Sequence, residues 1–97
     1  IEAPDTDAIF CTNDDVAIGA FFESQRQGIE VPGQMAIAGF HGHNVGQVMV
    51  PTLASVITPR EQVGQRAAEA LIARLSGADM GEQVIDLGYR IECGGTL

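Results

Sequence analysis

Apolar residues in this sequence fall into short runs and helical stripes, divided by glycine, proline and polar breaks. Residues 7–12 are apolar in the middle (Ala8, Ile9, Phe10, Cys11) and closed by Asn13 and Asp14, the pattern of a short strand buried on both faces. Helical spacing follows. Asn13 and Asp14 suit a helix start and its positive dipole end, Ala17, Ala20, Phe21 and Ser24 form one stripe, and Gly28 is a natural stop. The same helix carries a second stripe, Ile18 and Phe22 beside Gln25. A surface helix needs only one apolar face. Two imply either a sheet on one side and a partner on the other, or a helix covered all round inside a larger monomer.

Val31-Pro32-Gly33 marks a turn, and residues 35–40 give a second buried strand. His41-Gly42-His43-Asn44 is a polar loop, residues 45–50 suit a short helical turn, and Pro51 punctuates. Residues 53–57 form a third strand, rich in β-branched side chains. Thr58-Pro59 then opens a long helix whose Val63, Ala67, Leu71 and Leu75 share one face, widened by Ala70 and Ile72 and ended by Gly77. Residues 84–91 alternate weakly and predict a final strand. This alternation predicts an α/β fold: a mostly parallel sheet flanked by helices, with right-handed crossovers.

The composition fits that picture. Hydrophobic residues make up 45% of 97, enough for a packed core in one small domain or in part of a larger one. The chain opens on Ile1 and reads as a piece of a longer polypeptide. Thirteen acids against five bases give a net charge of −8, which repels phosphate backbones, so this segment is not expected to grip DNA itself. No apolar stretch approaches the roughly 20 residues that span a bilayer, and no membrane contact is expected. Cys11 lies in an apolar run and reads as a small buried thiol, while Cys93 is remote in sequence and no CxxC pair exists, so no zinc or redox centre is expected.

In open α/β sheets, ligands bind beyond the carboxyl ends of the strands. Asn13, His41 and Thr58 each follow a predicted strand, and Arg60 begins the next helix, a convergence that suggests a polar small-molecule site. Each has a plainer reading too. Asn13 also serves as a helix cap, Asp14 and Asp15 as first-turn charges stabilised by the helix dipole, and Arg60 as a solvated helix-start residue. His41 and His43 have a spacing that can hold a metal, but no further ligands accompany them, so no metal site is assigned. A cation at a helix N-terminus opposes the dipole, and a bound anion would relieve it. No nucleophile elbow, phosphate-binding glycine loop or paired carboxylate is present, so neither catalysis nor a cofactor is expected.

Several of these motifs carry a family resemblance. Asp7-Ala8-Ile9-Phe10-Cys11-Thr12-Asn13-Asp14-Asp15-Val16-Ala17-Ile18-Gly19-Ala20 resembles the strand-plus-helix motif of LacI/GalR transcription repressors. Gly28-Ile29-Glu30-Val31-Pro32, Met35-Ala36-Ile37-Ala38-Gly39-Phe40, Pro51-Thr52-Leu53-Ala54-Ser55-Val56 and the helix through Val63-Gly64 and Ala67-Ala68 extend the likeness along essentially the whole chain. The resemblance implies a two-lobed, periplasmic-binding-protein-like (type I) effector core, of which this is a C-terminal fragment. Residues 1–59 and 88–97 would belong to the C-terminal lobe and 60–87 would cross into the N-terminal lobe. The DNA-binding headpiece lies outside this chain. It further implies a cytoplasmic homodimer that binds operator DNA through that headpiece, with Ile18, Phe22, Val48 and Met49 at interface positions.

By the same resemblance, Asn13, His41, Thr58 and Arg60 fall at effector-facing positions. His41 replaces an Asp that binds sugar hydroxyls in most members, and Arg60 replaces a residue commonly aromatic or aliphatic. Losing a carboxylate and gaining a guanidinium both favour an anionic effector. Gly39-Phe40-His41-Gly42-His43 and Gly46-Gln47-Val48-Met49 resemble gluconate-utilisation repressors, which makes a sugar acid, gluconate first, the expected effector. Another aldonate or a phosphorylated one stays open. The rival readings are an extracytoplasmic sugar-binding protein of a transport system, which shares the two-lobed fold, and, more remotely, an enzyme on a doubly wound sheet.

Overall fold

The computed structural model describes residues 3–79, 81 and 83–97. In chain order its elements are β1 (Ala8–Phe10), α1 (Asp14–Arg26), β2 (Ala36–His41), α2 (Asn44–Val48), β3 (Ala54–Ile57), α3 (Arg60–Leu75) and β4 (Arg90–Glu92). The strands form one sheet in the order β1-β2-β3-β4. β1 and β3 both run parallel to β2, with Ile9 opposite Ile37 and His41 opposite Ile57, and β4 lies antiparallel to β3. The sheet is thus mostly parallel, as the alternation requires. The reversed last strand is not encoded by periodicity, which carries no direction.

Contacts divide the chain into two compact units, Ile1–Thr58 with Arg90–Leu97, and Pro59–Tyr89. The first holds the core. Cys11, Ala17, Phe21, Ile37 and Leu53 are buried together, with Ile9, Ile18, Ala20, Val31, Met35 and Met49 packed around them. Ile37 and Leu53 lose all contact with solvent, and each such side chain contributes about 1.5–3 kcal/mol. α1 turns Ala17, Phe21 and Ser24 inward. The Ser24 hydroxyl is satisfied by donating to the Ala20 carbonyl at 2.9 Å. At the far end of the helix Arg26 and then Gln27 donate to Glu23 and hold its carboxyl down at about 2, from an ordinary 4.5. The chain end is stitched into the sheet by Thr96, which is fully buried. Its Oγ1 donates to the Ile37 carbonyl at 2.7 Å and accepts from the Ala54 N–H at 2.9 Å, tying β2 to β3.

Both cysteines are free thiols, Cys11 buried and Cys93 exposed. Burial pushes the Cys11 thiol up from its ordinary range.

Two expectations need correction. β1 is not buried on both faces: it is three residues long and Phe10 is 67% exposed. It forms one edge of this sheet, and by strand alternation Ala8 and Phe10 share an exposed face while Ile9 on the other packs against the core. The strand expected over residues 84–91 begins only at Arg90. Val84 is wholly exposed, and among the described residues no strand pairs with residues 83–89, where Gly88 has φ of 77° and donates to the Asp86 side chain.

In the second unit α3 runs as the stripe predicts and is ended by Ser76 and Gly77, the latter with φ of 91°. None of its residues is buried, and Val63, Leu71, Ile72 and Leu75 are all at least half exposed. Its apolar face and Gln83, Ile85 and Leu87 line an open groove.

Candidate functional site

Within the first unit, three of the residues singled out by sequence follow the carboxyl ends of adjacent strands: Asn13 after β1, His41 at the end of β2, Thr58 after β3. Asn13 does cap α1, its Oδ1 accepting from the Val16 N–H at 2.9 Å. A cap uses only the oxygen, and an asparagine's amide nitrogen is a separate pair of donors. His41 and Thr58 meet directly, with Nδ1 3.3 Å from Oγ1 and both side chains partly buried. His41 has φ of 94°, the left-handed region that few side chains adopt. Its ring also stands edge-on to Phe40, centroids 4.6 Å apart.

The loop after β2 is fastened by a residue whose wider role sequence reasoning missed. Asp14 stands in the first turn of α1 as expected, but it is also fully buried. Its Oδ2 accepts from the His43 N–H at 2.6 Å and its Oδ1 from the Ser55 hydroxyl at 2.7 Å. Ser55 Oγ in turn accepts from the Gly42 N–H at 3.2 Å. One carboxylate therefore joins the start of α1, the His41–His43 loop and β3. A signal was present in the glycines. Gly39 interrupts β2 where a side chain would help packing, and a lone strand glycine marks a close approach. Here a Cβ at Gly39 would run into the Asp14 carboxylate and lie 3.2 Å from the Ala17 Cβ.

Asp15, by contrast, is exposed, and its Oδ1 lies 3.2 Å from His43 Nδ1. The rings of His41 and His43 stack nearly parallel, 11° apart in plane with centroids 6.2 Å apart. Asn13, His41 and Thr58 thus share one end of the sheet, and His43 joins them. Arg60 stands exposed in the first turn of α3, in the second unit. Of the four residues given interface positions, Phe22 and Val48 are 57% and 78% exposed, whereas Ile18 and Met49 are partly buried against the core.

Imidazole, hydroxyl and amide groups at strand ends suit the recognition of a polyhydroxylated or anionic small molecule. Among the described residues, no group of three or more His, Cys, Asp and Glu is placed to hold a metal ion. No helix of the described residues is long and apolar enough to cross a membrane.

Comparison with known proteins gives one consistent result. Residues 1–97 match the family model described as a periplasmic binding protein-like domain. The chain is 55% identical over 96 residues to the HTH-type transcriptional regulator GntR of Escherichia coli K12, covering 99% of this chain and 29% of that protein. To the HTH-type transcriptional regulator IdnR of the same organism it is 48% identical over 94 residues, covering 97% of this chain and 28% of that one. The solved structure of the transcription regulator GntR from Chromobacterium violaceum superposes with a TM-score of 0.87 at 43% identity, covering 98% of this chain and 35% of that one. The chain spans under a third of the length of these curated relatives.

Proposed function

We propose, on the premise that this chain belongs to the periplasmic binding protein-like family as a C-terminal part of the effector-binding core of LacI/GalR-type transcription regulators, that it senses a sugar acid, gluconate first. The observation that carries this reading is the His41–Thr58 pair at the carboxyl ends of β2 and β3, 3.3 Å apart. By the resemblance, His41 stands where most members of the family place an Asp, so at that position an imidazole replaces a carboxylate that would repel an anion. Asn13 and Thr58 are assigned to effector hydroxyls. Arg60, whose planar fork suits a carboxylate, is assigned to the acid group.

Residues 1–59 and 88–97 are assigned to the C-terminal lobe and residues 60–87 to the N-terminal lobe. The apolar face that α3 leaves exposed in this chain supports that division. Effector bridging the lobes shifts the population toward one lobe arrangement by its differential affinity for it. In a cytoplasmic homodimer built on Ile18, Phe22, Val48 and Met49, that shift resets the spacing of two headpieces and changes operator affinity. The relatives are transcription regulators rather than enzymes, in keeping with a sensing role.

The test is calorimetric titration of the full-length protein with gluconate, glucose and 6-phosphogluconate. Gluconate is expected to bind selectively. Arg60→Ala is expected to weaken it by roughly tenfold or more, the worth of a charge-assisted hydrogen bond. Silence toward gluconate overturns the choice of effector.

A further inference from the structure

The roles assigned above leave one imidazole unused. His43 sits two residues beyond His41, its ring nearly parallel to that of its neighbour. Its main chain is held firmly, because its N–H donates to the buried Asp14 carboxylate. The link between the two histidines is fixed as well. Gly42 is buried with φ of 72°, and a Cβ there would run into the Ile57 side chain.

The ring has its own partner, Asp15, whose Oδ1 lies 3.2 Å from Nδ1. A carboxylate in this bond only accepts, so the proton of a neutral ring resides on Nδ1 and Nε2 is left as an acceptor. A fixed acceptor beside the effector matches a hydroxyl, which can donate to it, and not a carboxylate, which cannot. The Asp15 side chain is 79% exposed and that of His43 is 30% exposed. An exposed pair of this kind adds little to folding, so orienting the ring is the effect that remains for it.

We infer that His43, oriented by Asp15, accepts a hydrogen bond from one hydroxyl of the effector's polyol chain and so sets which hydroxylated acid is bound. This rests on the sugar-acid reading above. It adds a residue that selects among acids, where Arg60 separates acids from neutral sugars.

The experiment titrates the full-length protein with gluconate and with a set of gluconates each lacking one hydroxyl. In the wild type one of these compounds is expected to bind on the order of tenfold more weakly than gluconate because its hydroxyl is read. In His43→Ala gluconate falls to the affinity of that compound, and the two become equal, while the other compounds keep their order. Asp15→Asn keeps the ring but removes the obligate acceptor. Imidazole ¹⁵N NMR is then expected to show the proton shift from Nδ1 toward Nε2, with an intermediate loss of gluconate affinity. This variant decides the matter should His43→Ala fail to fold. Gluconate binding that is unchanged in both variants, or weakened equally for every compound, overturns the role of His43 and leaves the effector reading standing. A wild type that ignores gluconate overturns both.

Discussion

At Asp14 two donors, the His43 N–H and the Ser55 hydroxyl, converge on one side chain that has no solvent contact. Truncating it strands both, and a buried donor without a partner costs about 1–3 kcal/mol. Asp14→Ala is therefore expected to destabilise the full-length protein by roughly 2–6 kcal/mol in denaturant unfolding, by this reckoning of two donors. Gly39→Ala acts on the same spot from the other side, since its Cβ would press on the carboxylate and lie 3.2 Å from the Asp14 Cα. Overpacking of this kind costs about 1–3 kcal/mol. Because removing the carboxylate opens the space the new methyl needs, the double variant is expected to lose less than the sum of the two singles. Strict additivity in that cycle would mean the two residues do not act on one another.

At the scale of elements, α1 shows what sequence reveals and what it hides. Its start, its stop near Gly28 and its inward stripe were legible, because caps, glycines and a 3.6-residue period are local properties. The burial of Asp14 was not, because it depends on Ser55 and the His43 N–H, distant in sequence. The edge position of β1 and the reversal of β4 were hidden for the same reason. Of the candidate site, the strand-end residues Asn13, His41 and Thr58 could be found from pattern alone, whereas the pairing of Asp15 with His43 needed the structure. Asn13 also allows an element-level test that separates its two roles. Asn13→Ala removes the cap and is expected to cost about 1 kcal/mol of stability together with effector affinity. Asn13→Ser keeps a capping oxygen but no amide, so thermal unfolding should return to the wild-type midpoint while calorimetric gluconate affinity stays low. Recovery of both by serine would confine Asn13 to capping.

Across the whole molecule, the two units differ in how much they bury. The first has a buried core and a stitched chain end, while α3 in the second buries none of its residues. The first unit has exposed apolar residues of its own, Phe22 on α1 and Val48 on α2. Scattered apolar residues are normal on a surface, so exposure alone does not make an interface. Ile18 and Met49, given interface positions with them, pack partly against this chain's own core, so Phe22 and Val48 are the pair that can test the assignment. Val48→Asp places a charge at a position 78% exposed in the single chain. It should leave that chain's folding intact and penalise only an apolar partner that buries it. In the full-length protein, sedimentation velocity is expected to show this variant as a monomer and the wild type as the proposed dimer. Operator affinity should fall with it, because a monomer reaches one half-site. Gluconate binding should persist, since every residue assigned to the effector comes from one chain. A variant that remains dimeric down to the lowest measurable concentration would remove α2 from the interface and leave the effector site untouched.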